Sequence, residues 1–212
     1  MLEAVIWDFG GVLTSSPFEA FARFEAERGL PIDIIRRTNA ANHFENAWAK
    51  FERAEIGLDT FDALFAEESR ALGAEVRGRD VLPLLSGTLR PEMVQALRIV
   101  KRNHKTGCIT NNLPANAIGS TSGRTLYVAE VMALFDHVIE SAKIGLRKPD
   151  PKIYRMMTDA LGADPKRCVY LDDLGVNLKP AREMGMATIK VVSADQAIAE
   201  LEDVTGLSLR GT

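Results

Sequence analysis

The chain has 212 residues, 46% of them hydrophobic and 26% charged, with a formal net charge of −3. That length supports one good-sized core, alone or with a smaller appended unit. The slightly acidic balance argues against nucleic-acid binding, which needs a basic surface, and no apolar run approaches the ~18 residues that would make a membrane partner expected. Neither a leader peptide nor a disulfide framework is expected. The start lacks a basic-then-apolar pattern, and Cys108 and Cys168 both lie in apolar strand-like runs. Together these make a soluble cytoplasmic protein the expectation.

The first element is the run Ala4-Val5-Ile6-Trp7, a short strand buried on both faces. It delivers Asp8 to its carboxyl end, where Gly10-Gly11 lets the backbone turn sharply. From Ser15 to about Thr88 strand signals are absent and helical periodicity recurs: Phe18 to Gly29, Ile32 to Asn42, Phe44 to Glu55, and Leu58 to Leu72 with Asp59 as N-cap. Residues 15–88 are therefore read as an all-helical insert. Its aromatics Phe44, Trp48, Phe51, Phe61 and Phe65 are expected to form a small core of their own.

From Leu89 helix and strand alternate. Pro91 opens a helix with Met93, Val94, Leu97 and Val100 on its apolar face, and Gly107-Cys108-Ile109-Thr110 is a buried strand ending at Asn111. A Gly/Ser/Thr/Asn-rich loop from Leu113 to about Gly123 precedes a helix from Leu126 to Phe135 and a strand at 137–140. Asp150-Pro151 caps a helix that stops at Gly162. Cys168 to Leu171 is a strand ending in Asp172-Asp173; a helix through Ala181, a strand at 187–192 and a last helix follow. Alternation of this kind implies a parallel sheet with helices on both faces. The fold class expected is α/β, a Rossmann-like five-stranded parallel sheet. Its core comprises residues 1–14 and 89–212, and the insert at 15–88 stands as a cap over the carboxyl edge.

Four polar features then map to one edge of the sheet: Asp8, Thr110-Asn111, Lys148 and Asp172-Asp173. Each alone has an ordinary reading as a turn, a helix cap or a solvated charge. Their coincidence at matching strand ends does not. Carboxylates about 5 Å apart at an effective dielectric near 20 repel by about 3 kcal/mol per pair, so three together call for protons or a cation. A hard divalent ion such as Mg²⁺ suits oxygen ligands. Lys148, the Thr110 hydroxyl and backbone N–H groups around Asn111 would complete an anion cradle, and the whole describes phosphoryl transfer.

These residues resemble the four motifs of the haloacid dehalogenase superfamily, legible in order across the full length, a resemblance that implies the strand order 5-4-1-2-3. The resemblance implies Asp8 as nucleophile and a Mg²⁺ ligand, with Thr110, Asn111 and Gly11 at the transferred phosphoryl group. Lys148 would hold nucleophile and phosphate together. Asp173 would be a direct Mg²⁺ ligand, Asp172 a direct or outer one, and the Gly10 carbonyl a further ligand. Within that superfamily the stretch Tyr170 to Arg182 and the tail Glu202 to Leu207 resemble the amino-terminal phosphatase domain of bifunctional soluble epoxide hydrolases. A small phosphate ester, lipid-phosphate-like by that similarity, is the implied partner, and a homodimer is admitted. The chain ends without the α/β-hydrolase half, so epoxide hydrolysis is not implied.

One departure stands out. The family's second Asp, a general acid and base two residues after the nucleophile, is replaced by Gly10. Acid–base help contributes about 10²–10⁴-fold, so esters with acidic leaving groups should turn over best. The alternatives are a phospho-ligand-binding protein of the same fold with weak or no catalysis, or a 2-haloacid dehalogenase. The paired Asp172-Asp173 argues against the latter, because a dehalogenase has no cation to offset them. His43, His104 and His137 show no metal-ligand spacing, and no nucleotide motif is present.

Overall fold

The computed structural model describes residues 1–114 and 122–210, with the side chains of 122–126 excepted. The loop expected at Leu113 to Gly123 falls largely on residues 115–121, outside the described ones.

Strands β1 (Ala4–Trp7), β2 (Lys105–Thr110), β3 (His137–Glu140), β4 (Cys168–Asp172) and β5 (Ala187–Lys190) form one parallel sheet of order β3-β2-β1-β4-β5. This is the expected order read from the other edge. Alternation along β1 feeds two cores: Val5 and Trp7 join the cluster of Met93, Leu97, Val169 and Leu171, whereas Ala4 and Ile6 join Ile153, Tyr154, Met157 and Tyr170 on the opposite face. Burial on both faces is why β1 and β4 read as unbroken apolar runs.

Helices α1 (Phe18–Glu27), α2 (Ile34–Ala40), α3 (Ala47–Glu52), α4 (Leu58–Ala71) and α5 (Gly78–Val81) follow β1. After the insert come α6 (Pro91–Lys101), α7 (Ser122–Met132), α8 (Ser141–Ile144), α9 (Pro151–Leu161), α10 (Gly175–Glu183) and α11 (Ala194–Thr205). Asp150 caps α9 by accepting from the Lys152 N–H, as its sequence predicts. α10 starts at Gly175, right after the acidic pair, so its amino end points to the carboxyl edge of the sheet.

A third apolar cluster, built on Phe21, Ile35, Trp48, Phe51, Phe61 and Phe65, belongs to the helical segment. Phe51 and Phe61 stack at 4.4 Å and Trp48 meets Phe61 edge-on at 5.6 Å. Two expectations need correction. Phe44 is 55% exposed and lies against His43 at 3.9 Å, because it sits in the turn before α3 rather than on a helical face. Asp59 lies in the first turn of α4 and pairs with Arg79, while Gly57 holds the cap position.

The two chain segments that lead into and out of the helices run side by side. Thr14 and Leu89 form an antiparallel bridge, the Ser15 N–H donates to the Thr88 carbonyl at 2.7 Å, and the Arg90 N–H donates to Leu13 at 2.8 Å.

Candidate active site

Asp8 leaves β1 with its backbone N–H still on the Leu171 carbonyl of β4, at 2.8 Å, so the sheet itself carries it beside the acidic pair. Its carboxylate accepts from the Phe9 N–H at 2.6 Å. Asp8, Asp172 and Asp173 each present a carboxylate oxygen, all within 4.8 Å of one another. Lys148 is 1% exposed, and its Nζ lies 2.8 Å from Asp8 Oδ1 and 2.8 Å from Asp172 Oδ2. One buried ammonium against three carboxylates leaves the group with an excess of negative charge.

The two adjacent aspartates live in different surroundings. Asp172 is saturated by protein donors: Lys148 Nζ, the Tyr170 hydroxyl, the Leu174 N–H at 2.8 Å, and Asn177 Nδ2 at 3.1 Å. Asp173 faces the turn at Gly11. A Cβ on Gly11 would lie 2.2 Å from Asp173 Oδ2, and Gly11 has a φ of +72°, so both backbone shape and space demand glycine there. Gly10 is exposed, and a Cβ added to it meets nothing within 4 Å.

Electrostatics follow the geometry. Burial, with the charges of Asp172 and Asp173, raises the Asp8 carboxyl well above the ordinary value against the pull of Lys148. Burial and Asp172 push Asp173 up to about 6. For Lys148 burial works in the lowering direction, but Asp172 and Asp8 outweigh it and the ammonium is held. A cluster that raises its own carboxyl pKa values in this way has room for a positive charge. Its all-oxygen donor set, with the Gly11 cradle beside Asp173, fits a hard divalent ion such as Mg²⁺.

Thr110 ends β2, half-buried, next to β1 in the sheet. Asn111 is used differently from a simple turn residue. Its Oδ1 accepts from the Lys148 N–H at 2.8 Å and its Nδ2 donates to the Lys148 carbonyl at 3.1 Å. Its side chain thus fixes the lysine's backbone. Two residues escaped the sequence reading as parts of this site: Tyr170 and Asn177, both bonded to Asp172. Tyr170 carries a usable signal, since it lies two residues before Asp172 and shares its face of β4.

An α/β fold with this acidic edge defines a class of hydrolases that work at strand ends, and the comparisons place the chain within it. The chain belongs to the haloacid dehalogenase-like hydrolases, whose family model matches residues 2–185. It is 32% identical over 224 residues to Bifunctional epoxide hydrolase 2 of Sus scrofa, covering 100% of this chain and 40% of that protein. The chain thus spans well under half of that relative's length. It is 28% identical to Phosphatase MT3486 of Mycobacterium tuberculosis, covering 92% of this chain and 89% of the relative. Among solved structures, a HAD family enzyme of Bacteroides thetaiotaomicron in complex with magnesium and inorganic phosphate shares the fold. Its TM-score is 0.62 at 18% identity, over 95% of this chain and 99% of that one. Among the described residues no helix is long and apolar enough to cross a membrane.

Proposed function

We propose that the chain is a Mg²⁺-dependent phosphohydrolase acting on a small phosphate ester, with residues 1–14 and 89–212 as catalytic core and residues 15–88 as cap. The observation that carries this reading is the Asp8 carboxylate, held at 2.8 Å by Lys148 within 4.8 Å of two further carboxylates. Asp8 attacks phosphorus, the ester oxygen leaves with its electron pair, and water then hydrolyses the aspartyl-phosphate to restore the carboxylate. Lys148 orients Asp8 and offers its remaining proton to a phosphoryl oxygen. The Thr110 hydroxyl and the backbone N–H groups near Asn111 and Gly11 bind the other oxygens. Asp173, Asp8 and the Gly10 carbonyl would hold Mg²⁺, with Asp172 as the post that fixes Lys148. When bound, Mg²⁺ offsets the negative charge on the transferred phosphoryl group.

The test is hydrolysis of 4-nitrophenyl phosphate with and without Mg²⁺, repeated in Asp8→Asn. Turnover that needs the metal and vanishes in the variant supports the reading; turnover indifferent to EDTA rejects the metal dependence, and halide release from a 2-haloacid in the presence of EDTA, with no ester turnover, restores the dehalogenase alternative. A second reading, a binding protein of the same fold, is favoured by one observation: nothing at Gly10 can donate a proton to the leaving group. Phosphate binding without turnover of any ester would establish it.

A further inference from the structure

Among the described residues the helical segment meets the α/β part at the paired linker ribbon of Thr14 and Leu89, at Leu113, which packs on the helical core, and at a buried ion pair. Arg147 Nε donates to Glu52 Oε2 on α3 at 2.6 Å, and Arg147 Nη1 donates to the His43 carbonyl at 2.6 Å. The side chains are 16% and 9% exposed. The second oxygen of Glu52 is also committed, to the Trp48 indole N–H at 2.9 Å, and Trp48 packs on Phe61 and Phe65 in the helical core. Nearby, α3 packs on α8.

Burying an ion pair is a poor way to glue a seam, because apolar side chains of similar size stabilise as well or better. What the pair adds is one geometry, since the Arg147 fork and both Glu52 oxygens must all be satisfied together. Its place in the chain gives that geometry a use. Arg147 directly precedes Lys148, whose ammonium must reach Asp8 and Asp172 at once. Asn111 clamps the Lys148 backbone from the β2 side. Arg147 clamps the same segment from the helical side.

We infer that Arg147 is a positioning residue, which through Glu52 and the His43 carbonyl makes the placement of Lys148 depend on docking of the helical segment. The inference rests on the phosphohydrolase reading above for its catalytic readout only. Without the pair the ammonium loses its bearing on Asp8, and small misplacements of a reacting group are costly.

Three single variants and one double variant test it: Arg147→Met removes the fork at similar volume, Glu52→Gln removes the charge, and Arg147→Lys keeps a charge that can reach one acceptor. The readouts are kcat and KM on 4-nitrophenyl phosphate with Mg²⁺, thermal unfolding, and acetylation of Lys148 by acetic anhydride, followed by mass spectrometry against exposed Lys179. Arg147→Met should lower kcat by about tenfold or more with KM changed less than about threefold. Lys148 should acetylate about fivefold faster or more, with Lys179 unchanged. Arg147→Lys should recover part of kcat. The double variant Arg147→Met with Glu52→Gln should be no slower than Arg147→Met beyond about twofold, as expected of two groups acting as a unit. Should Arg147→Met fail to fold, Glu52→Gln carries the same comparison. Folded variants with kcat and Lys148 acetylation both within about twofold of the parent would reduce the pair to seam packing and overturn the inference. A parent chain that hydrolyses no ester defeats the phosphohydrolase reading instead, and the Lys148 acetylation rates still decide the coupling.

Discussion

In the helical segment Glu25 is 4% exposed and gives both carboxylate oxygens to near neighbours in the chain, the Asp33 N–H at 2.8 Å and the Ile35 N–H at 3.0 Å. Asp62 is likewise buried and is tied to Arg77 and to the Arg79 N–H at 3.0 Å. At the carboxyl edge of the sheet the partners come from far apart in sequence, and they do not balance: Asp8, Asp172 and Asp173 share one Lys148. The first pattern stitches loops to helices. The second stores an electrostatic imbalance that a cation and a phosphoryl group could resolve. Burial of charge alone therefore marks nothing; what separates the two regions is whether the donors present suffice.

Lys148→Met should break that contrast hardest. It leaves Asp8 and Asp172 uncompensated, so turnover should fall by about 10²–10³-fold. Metal-free stability, measured by denaturant titration, should fall by about 3–5 kcal/mol. In the helical segment Ile35→Ala should cost about 2–5 kcal/mol by the same titration, since Ile35 is fully buried, while the folded enzyme keeps its kcat. Gly10→Asp sharpens the comparison by adding an acid to the edge where the Cβ has room. It should raise hydrolysis of an alkyl phosphate by about 10² relative to the aryl ester, and no selective gain would sink the account of Gly10.

The smallest effect concerns Glu52, a buried acid that joins the two regions. Burial raises its pKa above the ordinary 4.5, against the pull of Arg147. The folded state then holds a proton that the unfolded state has released, so Glu52 subtracts stability as pH rises from 4.5 through the raised value. The thermal midpoint of the parent relative to Glu52→Gln should fall across that window, and more steeply in the Arg147→Met background.

The chemistry-bearing strand ends were legible because β1 and β4 are unbroken apolar runs that stop at aspartates, a signal local to each segment, whereas sheet order came with the family resemblance. The same locality explains what was missed. No local pattern pairs Arg147 with Glu52, and nothing short of tertiary structure joins residues 95 positions apart. Helices α5 and α8, four residues each, are too short to show a period. Phe44 was placed inside by its type, whereas the turn before α3 leaves it outside.

The linker ribbon has a consequence for how such a chain can change. Ser15 and Thr88 sit one hydrogen bond apart, so everything between them enters and leaves through a single doorway. Recombination could then exchange the intervening module wherever the newcomer again supplies acceptors for Arg147, as Glu52 and the His43 carbonyl do, so that lineages retune what they admit without rebuilding what they do.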